Sequence, residues 1–172
     1  RYFDRITRPE HLLSALPRAL RVMTDPANCG PATISFCQDV QAEAYDWPEE
    51  FFEPRVWYIR RPAPDAGELA RVAAAIKGAK NPVIIAGGGV IYSQAEETLA
   101  AFAAKHNIPV AETQAGKSAL PQSHPMSFGA SGVDGSAAAN AVSASADVVI
   151  GVGTRFQDFT TGSRTMFAEG AK

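Results

Sequence analysis

The chain has 172 residues, 46% of them apolar and 20% charged, a balance that fits a folded domain and excludes a disordered or fibrous chain. Sixteen basic residues against 18 acidic ones leave a formal net charge of -2, so there is no positive field to condense on a nucleic acid. The longest apolar stretch, around Val83 to Ile91, is broken by three glycines and falls far short of the roughly 20 residues that cross a bilayer, so no membrane partner is expected.

Cys29 and Cys37 stand eight apart with no companion His or Cys cluster, and the three histidines are scattered. This pattern holds no zinc spacing, and a reduced, cytoplasmic protein is the simplest reading. The chain opens Arg-Tyr-Phe, which reads as an excised piece of a larger polypeptide.

Pro9 opens a helical segment whose Leu12, Leu13, Leu16, Ala19, Leu20 and Met23 form one apolar stripe. Pro17 inside it predicts a kink or a break into two short helices. Turn chemistry at Asp25-Pro26 and Cys29-Gly30-Pro31 precedes the β-branched run Ala32–Phe36, which reads as a strand. Helix then strand is the pattern of the last unit of an α/β domain. A single strand cannot bury itself, so this one must join another sheet or lie on the second domain. Residues 42–64 read as a linker punctuated by Pro48, Pro54, Pro62 and Pro64. Trp47, Phe51, Phe52 and Trp57 cost roughly 1.5–3 kcal/mol each when left in water, so the linker is expected to strap across a domain surface.

Asp65 with Glu68 forms a capping box, and Leu69, Val72, Ala73 and Ile76 follow at helical spacing to about Ala79. Val83–Ala86 is the continuous apolar run of a parallel strand covered on both faces. Gly87-Gly88-Gly89 ends it. Ser93 with Glu96 reads as a second capping box, opening a helix with Leu99, Phe102, Ala103 and His106 on one face. Val110-Ala111 is the next strand, Gly116 to Gly135 a glycine-rich loop, Ser136 to Ala144 an alanine-rich helix, and Asp147 to Gly153 the last strand. Strand and helix alternate, so residues 65–172 are expected to form an α/β domain with an open parallel sheet and helices on both faces.

Ligands of such sheets settle at the carboxyl ends of the strands, where three loops qualify: Gly87–Gly89, Glu112–Lys117 and Gly153–Asp158. The first has glycines between strand and helix, as a diphosphate loop does. The dinucleotide fingerprint nevertheless fails, because the sixth residue from Gly87 is Tyr92. Glu112 stands where a ribose-binding acid would. Lys117 and Arg155 offer an anion clamp with Glu112 and Asp158 as counter-charges, or a polar network closing the sheet edge. Ser118, Ser123 and Ser136 lack a placed base. His124 reads as a turn residue, His106 as core or boundary, and His11 as surface. No catalytic or metal-binding residue is assigned within the chain.

The stretches Asn81–Val90, Ile108–Thr113, Gly116–Pro121 and Asp147–Phe156 with Thr161-Gly162 together resemble the central domain of thiamine-diphosphate-dependent enzymes of the acetolactate synthase and pyruvate oxidase type. His124-Pro125, Phe128-Gly129, Gly132 and Gly135 continue the likeness. Gly30–Phe36 with Gln38–Gln41 resembles the closing strand of that family's pyrimidine-binding domain. Residues 1–41 would then be the C-terminal end of that domain, 42–64 a linker and 65–172 a truncated central domain. Glu112–Leu120 and Gln157–Ser163 look closest to the branch that hydrolyses the C–C bond of a cyclic 1,2-diketone in myo-inositol catabolism.

The resemblance implies thiamine diphosphate and Mg2+ in a full-length, homo-oligomeric enzyme with a small-molecule substrate. The flanking pyrimidine- and diphosphate-binding domains of the same chain would be this segment's partners. Within the segment, Gly132-Val133-Asp134-Gly135 is not the Gly-Asp-Gly that holds the metal, and the activating glutamate precedes residue 1. The segment alone is therefore expected to be inactive and architectural. Some relatives hold FAD or an ADP-type regulator on this domain. Their contact positions match Gly88, Gly89, Thr113, Arg155 and Asp158, but Phe159 replaces an arginine of the acetolactate synthase pattern, so FAD is not expected. The alternatives are an acetolactate synthase-like enzyme, a self-contained FAD-, ADP- or NAD-binding domain, and a domain serving only oligomer contacts.

Overall fold

A computed structural model describes residues 1–27 and 29–172. The chain divides into two units, Arg1–Ala63 and Pro64–Lys172.

In the first unit, β1 (Tyr2–Ile6) leads through a 3-10 turn at Pro9–His11 into α1 (Leu12–Thr24) and then β2 (Ala32–Phe36). The two strands pair in parallel from Tyr2 opposite Ala32 to Ile6 opposite Phe36. The expected lone strand is therefore partnered within its own unit, by a segment whose Asp4 and Arg5 hide its period-2 alternation. Buried Ile6 and Ala15 and the partly buried Leu12, Ile34 and Cys37 pack around Val40 as one small core. The expected break at Pro17 is absent, for α1 runs through it as a single helix. Ala15 and Ala19, 0% and 2% exposed on either side of the proline, hold both halves in place. Packing thus overrides the loss of one internal hydrogen bond.

The linker aromatics pack mainly on one another. Trp47 stacks on Phe51 at 5.3 Å between centroids and meets Tyr45 and Phe52 edge-on. Trp47 also lines a cleft of about 410 Å3 with Ile6, Leu12, Phe36 and Val40, so it does strap its own unit. Phe52, Val56 and Tyr58 stay 68%, 74% and 84% exposed, and there the expected strap is not formed.

In the second unit, α2 (Ala66–Gly78) starts at Asp65, whose side chain accepts from the Glu68 amide at 2.9 Å. The order continues β3 (Pro82–Ala86), α3 (Gly88–Tyr92), α4 (Glu96–His106), β4 (Val110–Glu112), β5 (Ser127–Ala130), α5 (Ala137–Ala144), β6 (Val148–Val152) and α6 (Asp158–Thr161). The four strands form a parallel sheet in the order β5-β4-β3-β6. β4 and β5 are added on one side of β3 and β6 on the other, so this is a doubly wound sheet with its switch point between β3 and β6.

Ile84 and Ala86 of β3 and Val110 of β4 meet Leu99 and Ala103 of α4 on one face. Val83, Ile85 and Ala111 meet Ala139 and Ala146 of the α5 region on the other. Helices on both faces explain the unbroken Val-Ile-Ile-Ala of β3, whose four residues are at most 1% exposed.

Three local expectations change. Ser93 caps no N-terminus; the Ser93 amide donates to the Gly89 carbonyl at 3.0 Å and closes α3, while Ala95 precedes α4 without a side-chain cap. His106 is exposed, its ring 4.7 Å from that of Phe102, itself 36% exposed. The stretch read as one glycine-rich loop contains β5. Its register slips by one residue against β4, with Gly129 at φ +90°, a bulge geometry that only glycine adopts readily.

Asp147 joins the sheet's entry edge together. Its carboxylate accepts from the Lys80 amide at 2.7 Å and the Asn81 amide at 2.9 Å. Those two backbone bonds hold its pKa below the ordinary aspartate value.

Candidate functional site

The carboxyl ends of β4, β3 and β6 lie side by side, so the three loops do converge on one edge of the sheet. They interlock through backbone. The Gly87 amide donates to the Val152 carbonyl at 2.8 Å and the Gly89 amide to the Gly153 carbonyl at 3.0 Å. A Cβ on Gly89 would stand 2.5 Å from the Gly153 Cα, and one on Gly116 would overlap the Ala86 carbonyl. Gly153 itself takes φ +62°. These glycines are therefore required for loop-to-loop approach. In a diphosphate loop the amides point at the ligand; here two of them are spent on the neighbouring strand's carbonyls.

The structure divides the five candidate residues into a buried and an exposed set. Gly88 is buried, with Ala115 of the next loop over its α-carbon. Gly89 is half-buried against Gly153. Thr113 is 6% exposed, and its hydroxyl accepts from the Gly116 amide at 3.0 Å, closing the 3-10 turn Gln114–Gly116. Arg155 and Asp158 are exposed. With the Gln157 amide turned so that its oxygen faces Arg155, that oxygen accepts from the Arg155 Nε at 2.7 Å. Asp158 opens the short α6.

The polar network closing the sheet edge is not formed: Arg8–Glu10 and Arg71–Glu68 are ion pairs, whereas among the described residues neither Lys117 nor Arg155 is placed against a carboxylate. Glu112 accepts from the Leu120 amide at 2.9 Å, which commits one carboxylate oxygen to its own loop. Ser136 caps α5, accepting from the Ala139 amide at 3.0 Å and donating to the Phe128 carbonyl at 2.6 Å. His124 Nδ1 accepts from the Met126 amide at 3.2 Å, as expected of a turn residue.

Sequence reading missed how residues 131–135 join this edge. The Val133 amide donates to the Phe159 carbonyl at 2.9 Å, and the Ser131 hydroxyl to the Thr160 carbonyl at 3.2 Å. Asn140 brackets Gly132, accepting from its amide at 3.0 Å and donating to its carbonyl at 2.9 Å. The visible signal was Gly132, at φ +106° with the Phe159 carbonyl directly over its α-carbon. Within the Gly-Val-Asp-Gly run the Val133 amide is thus committed to α6 and the Gly132 amide and carbonyl to Asn140 of α5, and among the described residues no three His, Cys, Asp or Glu residues gather.

Fold and loops together define a doubly wound α/β domain whose three glycine-bearing loops interlock at the carboxyl ends of the strands. A family profile described as thiamine pyrophosphate enzyme, central domain, matches residues 69–172, and the chain belongs to that family. Its relatives include proteins named 3D-(3,5/4)-trihydroxycyclohexane-1,2-dione hydrolase. The Clostridium perfringens protein is 54% identical over 97% of this chain and 26% of its own length. That of Halalkalibacterium halodurans is 53% identical over the same shares. A Listeria monocytogenes protein is 50% identical over 100% of this chain and 27% of its own length. The chain thus spans about a quarter of the curated relatives it matches.

Proposed function

We propose that this chain is the architectural middle of a thiamine-diphosphate-dependent hydrolase that opens the ring of 3D-(3,5/4)-trihydroxycyclohexane-1,2-dione. The observation that carries this reading is the 54% identity, over 97% of the chain, to a protein of that name. Residues 1–41 would end the pyrimidine-binding domain, 42–64 would link, and 65–172 would hold the two cofactor-binding domains apart. The flanking domains would supply thiamine diphosphate, Mg2+ and the reacting groups in a cytoplasmic homo-oligomer.

Gly88, Gly89, Thr113, Arg155 and Asp158 would be what remains of a nucleotide site. The interlocked glycines support loss of the diphosphate seat, since the Gly89 amide is already bound. Phe159, 60% exposed, puts a ring where a related pattern has a cation.

The test is to assay the 172-residue chain and the full-length protein side by side with thiamine diphosphate, Mg2+ and the dione. The expected result is ring opening by the full-length protein alone, with no thermal shift of the 172-residue chain on adding thiamine diphosphate, FAD or ADP. A nucleotide binding the chain at 100 times below the applied concentration would add about 2.7 kcal/mol and be seen. Turnover by the 172-residue chain, or none by the full-length protein, overturns the reading.

A further inference from the structure

The third loop of the ligand edge, Gly153–Asp158, runs into α6, a helix of four residues that is too short to hold itself. Left-handed backbone brackets that helix. Gly153 and Phe156 precede it at φ +62° and +48°, and Gly162, Ser163 and Arg164 follow at φ +53°, +55° and +67°. The chain therefore turns sharply on both sides of α6.

The polar ties of this segment converge on one turn. Among the described residues, the hydrogen bonds from residues 154–171 to the rest of the unit all end on Ser131 and Val133. The Val133 amide donates to the Phe159 carbonyl at 2.9 Å. The Ser131 hydroxyl reaches the Thr160 carbonyl at 3.2 Å and the Met166 Sδ at 3.9 Å. Apolar support comes from the Phe156 ring over Gly151 and from Phe167, edge-on to Phe156 at 6.0 Å.

Residues 131–135 lie in no helix or strand, so something else must fix them. Gly132 stands at φ +106° with the Phe159 carbonyl against its α-carbon, where no Cβ fits. The Asn140 side chain grips it from α5: Oδ1 accepts from the Gly132 amide at 3.0 Å, and Nδ2 donates to the Gly132 carbonyl at 2.9 Å. A Cβ on Gly135 would come 2.6 Å from that Oδ1, so the turn is wound tightly round the side-chain amide. A group with donor and acceptor side by side is what these two bonds require.

We propose that Asn140 is a positioning residue for the third loop. Through Gly132 and Val133 it docks α6, and so sets where Arg155, Asp158 and the exposed Phe159 stand on the ligand edge. The latch needs no ligand at that edge, so it stands apart from the proposed reaction.

Hydrogen exchange of the 172-residue chain tests this, read as protection factors so that the intrinsic effect of pH cancels. In Asn140→Ala the Val133 amide should lose at least about tenfold in protection, because both bonds to Gly132 go, while the β3 amides keep theirs. Asn140→Asp adds a pH profile. Ionised, its carboxylate has no donor for the Gly132 carbonyl; protonated, it has one. Val133 protection should be low at pH 7 and return by about pH 4, where carboxyl groups take up protons. Asp134 in the turn, Asp158 on α6 and Glu112 on β4 are the neighbouring acids, and wild type, which has all three, should show no such profile. Full Val133 protection in Asn140→Ala overturns the proposal, as does a flat profile in Asn140→Asp. Protection of β3 that falls in step with Val133 would make Asn140 a support of the whole unit, and would overturn it too.

Discussion

Asp147 shows how one side chain can carry a sheet's entry edge. Its carboxylate takes the amides of Lys80 and Asn81 just ahead of β3, while its own backbone opens β6. Hydrogen bonds to the charged form lower its pKa, so the folded state prefers the ionised group. The contribution is therefore complete above about pH 5, and is lost as pH falls past the ordinary aspartate value near 3.9 toward the depressed folded one. Chemical denaturation between pH 3 and 7 should show wild type losing stability at the acid end. Asp147→Asn should be less stable than wild type at pH 7 and should follow a flatter acid profile; parallel profiles would deny Asp147 this role. At the same scale, the glycines of the three loops were legible as necessary but not as to why. Their spacing fits a phosphate cradle and a tight backbone junction equally well. Only the Gly89–Gly153 approach distinguishes the two.

Among the elements, α5 tests whether a cap also serves as a tie. Ser136 both caps α5 and binds the Phe128 carbonyl of β5. A lost cap costs about 1 kcal/mol, and an unpaired carbonyl in a part-buried site costs about as much again. Ser136→Ala should therefore lower the unfolding free energy by about 2 kcal/mol, measured by urea denaturation; a loss below about 0.5 kcal/mol would leave only a solvent-exposed cap. Elements with strong periodic signals, α2, β3, β6 and α5, were legible within a residue or two. β1 and β5 were not. Asp4 and Arg5 mask the first, and Gly129 with its bulge breaks the alternation of the second. Both depend on a partner strand distant in sequence, which no local pattern records.

For the whole molecule, the segment between the two units is the point of access. From Glu53 to Pro64 no helix or strand forms, and every residue but Trp57 is exposed. Chain of this kind is cleaved before packed elements are. Brief trypsin treatment should cut first after Arg55 or Arg60, giving a fragment close to residues 61–172 on a mass spectrum. First cuts within α2 or α4 would contradict the two-unit organisation.

From the sequence alone came the alternation of strand and helix, the both-face burial of β3, the convergence of three loops on one edge, and the likeness to a thiamine enzyme's central domain. The first three rest on near-neighbour spacing, which periodicity and capping chemistry expose directly; the likeness rests on matched stretches of sequence. Tertiary structure decided that the glycine amides bind carbonyls rather than face outward, that Pro17 leaves α1 whole, and that Glu112 serves its own loop. The first turns on contacts between residues more than sixty positions apart and the others on packing and hydrogen bonds that the folded chain sets, where their energy outweighs local preference.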